Sequence, residues 1–180
     1  KNEGFESIVL GGGEPFEWPG DLLGLTKSAK AMGFLVQIGT NAVGLGPGDE
    51  TWQSVDRFVL PLESHLPATH NKMRFYKNNH FQIMLETLRK MQAVGKCVTL
   101  STIITKVNQS DVHGLGLFLK EFNNQKPFIH AWHLYKFLPQ GRGGALNFKD
   151  LMISDEEYKI ACTQVKALGL PFNVFERKDM

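Results

Sequence analysis

Glu14 is the first residue of the chain whose type and place could hold a ligand. It closes the run Gly11-Gly12-Gly13-Glu14-Pro15, which follows the apolar stretch Ile8-Val9-Leu10. A β-branched run that ends in glycines reads as a strand whose C-terminus opens onto a ligand. Glycine lets the backbone come close, and the carboxylate is a fixed acceptor for a cationic or hydrogen-bonding group. Other polar clusters follow apolar runs in the same way. Thr40-Asn41 follows Phe34–Ile38, Glu63-Ser64-His65 follows Val55–Leu60, and Thr105, Lys106 and Asn108 follow Cys97–Ile104. Lys136, Gln140 and Arg142 belong to the end of Ile129–Phe137. Parallel α/β folds bind ligands at the C-terminal ends of their strands. Polar groups gathered at one end of successive strands therefore say more than any single motif.

Each cluster also has a plainer reading. A glycine triplet can be a bare turn, Thr40-Asn41 a turn cap, Ser64 a loop hydroxyl, and Trp132, Tyr135 and Phe137 core. His65 and His70 show no HExxH pattern and read as solvated loop histidines. The glycines are neither a P-loop, since no Gly-Lys-Ser/Thr follows, nor a GxGxxG fingerprint. A phosphate site would need a helix N-terminus directly after them, and Pro15-Phe16-Glu17 intervenes.

The elements that must carry these residues alternate. Trp18–Met32 has apolar residues at helical spacing, with Pro19 in its first turn and Gly33 past its end. Val43–Glu50 reads as loop, then a short helical turn. Asn79–Val94 is an amphipathic helix through Phe81, Met84, Leu88 and Met91. Ser110 is a candidate N-cap for a helix through Phe122. Ser154-Asp155-Glu156-Glu157 is a capping box opening a helix to Leu168, and Pro171–Phe175 is a last strand. Strands alternating with helices across short loops predict an α/β fold with a parallel sheet. Right-handed crossovers would curl it into a barrel or a doubly wound sheet. No linker or repeat is visible, so residues 1–180 read as a single domain.

The composition is that of an ordinary globular chain of 180 residues, 42% hydrophobic and 21% charged. Twenty basic against 18 acidic residues, net +2, gives no argument for nucleic acid or an anionic membrane. No stretch is long and apolar enough to span a membrane, and no signal-peptide pattern follows Lys1. The cysteines, Cys97 and Cys162, stand far apart in no metal-ligand spacing. They read as ordinary semi-buried thiols and fit a reducing, cytoplasmic setting. Two cysteines are too few for an iron–sulfur cluster held by this chain alone.

Taken in order, these segments resemble the core of the radical S-adenosylmethionine (SAM) enzymes. Gly12-Gly13-Glu14-Pro15 resembles their GGEP motif. Thr40-Asn41 resembles their T/S-N-G segment, with Ala42 in place of the usual glycine. Leu60-Pro61-Leu62-Glu63-Ser64, the segment His70–Arg74, Thr99–Asn108 and Phe137–Gly143 resemble later strand ends. The resemblance covers Phe5–Gly143. It implies a partial (β/α)6 TIM-like barrel whose first strand and CxxxCxxC cluster loop lie outside the chain, with a helix–strand extension over about 150–180. The cofactors it implies are SAM and a 4Fe–4S cluster whose ligands lie outside the chain. Gly12, Gly13 and Glu14 would hold the SAM amino group. Asn41, Ser64 and Arg74 would hold its carboxylate or ribose, and Leu138 would pack near adenine. No residue is assigned as catalytic or as a metal ligand. The implied activity is reductive cleavage of SAM to a 5′-deoxyadenosyl radical, with an electron donor such as flavodoxin or ferredoxin. The isolated chain is expected to be inactive. The nearest branches are the viperin-like and cofactor-biosynthesis enzymes, and the substrate stays open between a small molecule and a peptide. The edge at Phe5–Leu10 is expected to be covered by the chain's own terminus or by a second copy. A cluster-free barrel-like module that binds a small molecule or peptide is the alternative.

Overall fold

The computed structural model describes residues 4–46 and 50–178, the side chains of 141–143 excepted. Its strands are β1 (Ser7–Leu10), β2 (Leu35–Gly39), β3 (Arg57–Pro61), β4 (Cys97–Ile104), β5 (Ile129–Lys136) and β6 (Asn173–Arg177). They form one six-stranded sheet in the order β1-β2-β3-β4-β5-β6, and every pairing is parallel. The helices are α1 (Leu22–Ala31), α2 (Thr51–Ser54), α3 (Pro67–Met73), α4 (His80–Ala93), α5 (Val112–Gln125), α6 (Gly141–Leu146), α7 (Phe148–Leu151) and α8 (Asp155–Lys166). This is the partial TIM-like α/β architecture, with a sheet that does not close on itself.

Alternation along the strands separates two faces. Val36, Ile38, Phe58, Leu60, Val98, Leu100, Trp132 and Leu134 are buried and join one core with Met84, Leu88 and Met91 of α4, Leu115 and Leu119 of α5, and Cys162 and Val165 of α8. The intervening residues, among them Gln37, Val59, Ser101, Ile103, His133 and Tyr135, are half-buried and face the concave side. A closed parallel barrel buries both faces of its strands; this sheet is buried on one. Trp132, fully buried, donates its indole N–H to Thr102 Oγ1 at 2.9 Å. The C-terminal extension is tied in through Tyr158 of α8. Its hydroxyl donates to the Leu134 carbonyl of β5 and accepts the Arg177 N–H of β6. The last strand is thus the sixth of the sheet, in register with β5, and it runs to Arg177 rather than stopping at Phe175.

Several element bounds differ from the sequence reading. The helix expected over Trp18–Met32 is the shorter α1, with Asp21 as its N-cap and Pro19 ahead of it rather than in its first turn, and a 3₁₀ turn, Pro15–Glu17, precedes it. The side chain of Asp21 accepts the Gly24 N–H and fixes the later start. Asp111 rather than Ser110 occupies the N-cap position of α5. Residues expected in a loop after β3 form α3, with Pro67 in its first turn. The cysteines are not both semi-buried: Cys97 is exposed and Cys162 is buried. Gly33 adopts φ +80°, as the helix-ending role requires. Arg142 lies outside the described side chains. Among the described residues, nothing pairs with the outer edge of β1, where Val9 is 60% exposed. Self-coverage of that edge is therefore not found there.

Candidate functional site

The C-terminal ends of β1 and β2 meet through Glu14. Its Oε1 accepts the Thr40 hydroxyl at 2.6 Å and caps the 3₁₀ turn through the Phe16 N–H. Its Oε2 accepts the Asn41 N–H at 2.6 Å. The carboxylate is therefore fixed from the β2 side, and two of the expected ligand-holding residues, Glu14 and Asn41, are in contact. A Cβ added at Gly11, Gly12 or Gly13 would meet nothing within 4 Å, and Gly12 has φ +90°. The glycine backbone thus forms an open edge beside the carboxylate. A groove of about 620 Å³ runs along it, lined by Val9, Gly12, Gly13, Glu14, Trp18 and Leu25 among others.

Ala42 stands where the resembled motif has glycine, and it adopts φ +65°. That left-handed backbone costs a residue with a Cβ about 1–2 kcal/mol. The turn survives because the Asn41–Ala42 peptide is held at both ends. Ala42 N–H donates to Thr40 Oγ1 at 3.0 Å, and the Asn41 carbonyl lies 3.0 Å from His80 Nε2.

His70, expected in solvent, is fully buried in α3, and His80 at the start of α4 is 3% exposed. His70 Nε2 and His80 Nδ1 are 2.7 Å apart, and the Glu63 N–H donates to His70 Nδ1 at 3.1 Å. Burial, then His80, then Arg74 push the His70 pKa down to about 3. Burial also lowers that of His80, against the Asn41 bond, which raises it. An unfolded chain with ordinary histidines binds protons more readily, so stability is complete above about pH 6.5 and lost as pH falls toward 3. From pH 7 to pH 5.5 the His70 ring alone should cost about 1 kcal/mol, and the His80 ring acts in the same direction. Urea unfolding at the two pH values measures this, and pH-independent stability would contradict the burial of neutral rings. His65 is half-buried, with its Nδ1 lacking a partner and its ring against Gly114. Neither histidine is therefore a solvated loop residue.

Glu63, 1% exposed, is the hub of the next strand ends. Its Oε1 accepts from Arg74 Nε and its Oε2 from the Ile103 N–H, each at 2.8 Å. Its backbone carbonyl accepts from Asn108 Nδ2. Asn108, fully buried, also accepts the Thr105 N–H and donates to the Ile103 carbonyl. Ser64 is fully buried as well. Its hydroxyl donates to Asp111 Oδ2 and accepts the Leu66 N–H, so it ties β3 to α5. Both of its bonds are to the protein.

Arg74 and Leu138 meet at a concave cavity of about 530 Å³, with Val59, Ser101, Ile103 and Tyr135. Arg57, two residues before Val59, shares that face. His133 is in register with Ser101, and Arg177 with Tyr135. The Nε atoms of Arg57 and Arg177 are buried without hydrogen-bond partners. Burial, then Arg177, His130 and Arg57 lower the His133 pKa. A wall so endowed favours an anionic group in the concavity.

A thiolate-held cluster does not fit the residues present. Cys97 lies at the opposite end of β4 from the site, and burial pushes the Cys162 thiol up to about 11. Among the described residues, no group of three His, Cys, Asp or Glu side chains could hold a metal ion. No described helix is long and apolar enough to cross a membrane. The open glycine edge has room beside the Glu14 carboxylate, whose chemistry suits an ammonium group.

The fold of the chain matches solved structures of radical SAM enzymes. A domain of pyruvate-formate lyase-activating enzyme from Bacteroides vulgatus ATCC 8482 aligns at 14% identity with TM-score 0.68, over 95% of this chain and 98% of that one. SuiB from Streptococcus suis bound to SAM aligns at 15% identity with TM-score 0.68, over 95% of this chain. SuiB bound to its precursor peptide SuiA aligns at 14% identity with TM-score 0.65. The chain spans 39% of the SAM-bound SuiB chain and 37% of the peptide-bound one. No protein-family model and no curated protein sequence matches the chain.

Proposed function

We propose that this chain is the SAM-binding part of a radical SAM enzyme core. One observation carries the reading: Glu14 is fixed at an open glycine edge by Thr40 and Asn41, in a fold that matches radical SAM structures. Glu14 accepts the SAM ammonium group, and the Gly12-Gly13 backbone lies alongside it. Asn41 shapes the carboxylate side of that pocket, and Leu138 supplies apolar surface for the adenine. Arg74 reaches the carboxylate or ribose from the concave cavity. Ser64 serves the site through Asp111 and the loop it closes. With a 4Fe–4S cluster held outside this chain, SAM bound here would supply 5′-deoxyadenosyl-radical chemistry, one electron from the donor splitting it to methionine and that radical. The cluster ligands belong to sequence outside this chain, so the chain alone does not turn over. An electron donor of the flavodoxin or ferredoxin kind is implied. The substrate is a small molecule or peptide, and the cationic wall of Arg57 and Arg177 favours one with an anionic group.

Reconstitution with iron, sulfide, dithionite and SAM, alongside calorimetric titration of SAM into the chain, tests this. Saturable SAM binding without a stoichiometric cluster or 5′-deoxyadenosine is expected. A stoichiometric cluster with 5′-deoxyadenosine would overturn the placement of the cluster ligands. No saturable binding at millimolar SAM would overturn the SAM site and favour a cluster-free module for another ligand.

A further inference from the structure

We infer that His70 and His80 form a one-way hydrogen-bond relay that holds the left-handed turn at Ala42 and so aims the Asn41 N–H at Glu14. The direction follows from the two ends. The Glu63 N–H can only donate, so His70 Nδ1 must accept. A neutral His70 then carries its hydrogen on Nε2 and donates to His80 Nδ1. His80 in turn carries its hydrogen on Nε2 and donates to the Asn41 carbonyl. Only this pair of tautomers satisfies all three bonds. A further proton on either ring would set one N–H against another.

The relay joins the end of β3, helix α3, the start of α4 and the turn after β2. Its surroundings keep the rings neutral. Arg74 is the cation that bears on both. The Glu63 carboxylate is turned away onto Arg74 and the Ile103 N–H, and Phe81 packs edge-on to His70 at 5.7 Å. At the far end the relay grips one peptide plane. His80 holds the carbonyl of the Asn41–Ala42 peptide while Thr40 Oγ1 holds its N–H. The same threonine hydroxyl and the Asn41 N–H hold the two oxygens of Glu14. Residues 10 and 39 positions apart thus act together on the carboxylate without touching a ligand. His70 and His80 are positioning residues. Only the last step, that Glu14 receives the SAM ammonium, rests on the proposed function.

The test is long-range ¹H–¹⁵N NMR of the histidine-labelled chain, together with the Asn41 amide proton, which should resonate at low field against the carboxylate. Both rings should carry hydrogen on Nε2. His80→Phe keeps a ring but removes both bonds, and it should move the Asn41 amide upfield and weaken SAM binding about tenfold, the equivalent of one lost hydrogen bond. Adding Ala42→Gly removes the strain and should restore most of both. An Nδ1–H tautomer on either ring, or an unmoved Asn41 amide in a natively folded His80→Phe chain, would overturn the relay. Should His80→Phe not fold, the wild-type tautomers decide. If the amide moves as expected but wild-type chain binds no SAM, the relay stands and the SAM reading falls.

Discussion

Replacing Glu14 by glutamine should weaken SAM binding about 10- to 150-fold while leaving the chain folded. The side chain keeps its shape but loses its charge, and an ammonium held by a carboxylate is worth about 1.5–3 kcal/mol, which is that range of affinity. The amide also brings donors to a place built of donors. Thr40 Oγ1 and the Phe16 N–H point at one oxygen of Glu14 and the Asn41 N–H at the other. One of those groups must therefore face an NH₂. Calorimetric titration of SAM measures the affinity and thermal unfolding the stability. Glu14→Asp separates the two effects. It keeps the charge but draws it back by one methylene, away from Thr40 and Asn41, so it should lose affinity with less than the full electrostatic penalty. Wild-type affinity in Glu14→Gln would remove Glu14 from the site.

The fold and the first half of this site were legible because both are local. Ile8-Val9-Leu10 running into glycines marks a strand end by itself, and the capping box at Ser154–Glu157 is formed as its spacing requires, with the Glu157 side chain accepting the Ser154 N–H. The T-N-A segment was readable as a motif, and the φ of Ala42 shows why glycine would suit that place. The histidines were not readable. His70 reads as solvated from the sequence because it falls on an expected loop, five residues after His65, with no HExxH pattern. What buries it is α4 folding back, with Phe81 against its ring. Glu63 likewise reads as one acid among several after β3, and only the Ile103 N–H of β4 and Arg74 beyond α3 make it a buried hub. Ser64 shows how a distant partner sets a strand-end hydroxyl. Its hydroxyl sits at a strand end, where a ligand contact is expected, but Asp111, across the sequence, takes its hydrogen. Partners that lie far along the chain decide which polar residues at a strand end face a ligand and which brace the loops.

Arg74→Ala should destabilise the chain by about 3 kcal/mol, because it leaves the Glu63 carboxylate buried with a single amide donor. Breaking a buried pair from one side costs about 3–5 kcal/mol. The lower end applies here, since the Arg74 side chain is 35% exposed and water can replace part of it, while Glu63 is 1% exposed. For a chain of this size that is roughly 6–12 °C in Tm. Glu63→Gln in the same chain removes the stranded charge and should return about 2 kcal/mol, which makes the coupling measurable as a double-mutant cycle. The cycle also separates the two roles of Arg74. Its Nε binds Glu63, and its side chain lines the concave cavity with Tyr135 and Leu138. If the guanidinium also meets SAM, the double variant recovers stability but not affinity. Recovery of both would leave Arg74 as the partner of Glu63 alone. Wild-type stability in Arg74→Ala would show that the ion pair does not hold the ends of β3 and β4 together.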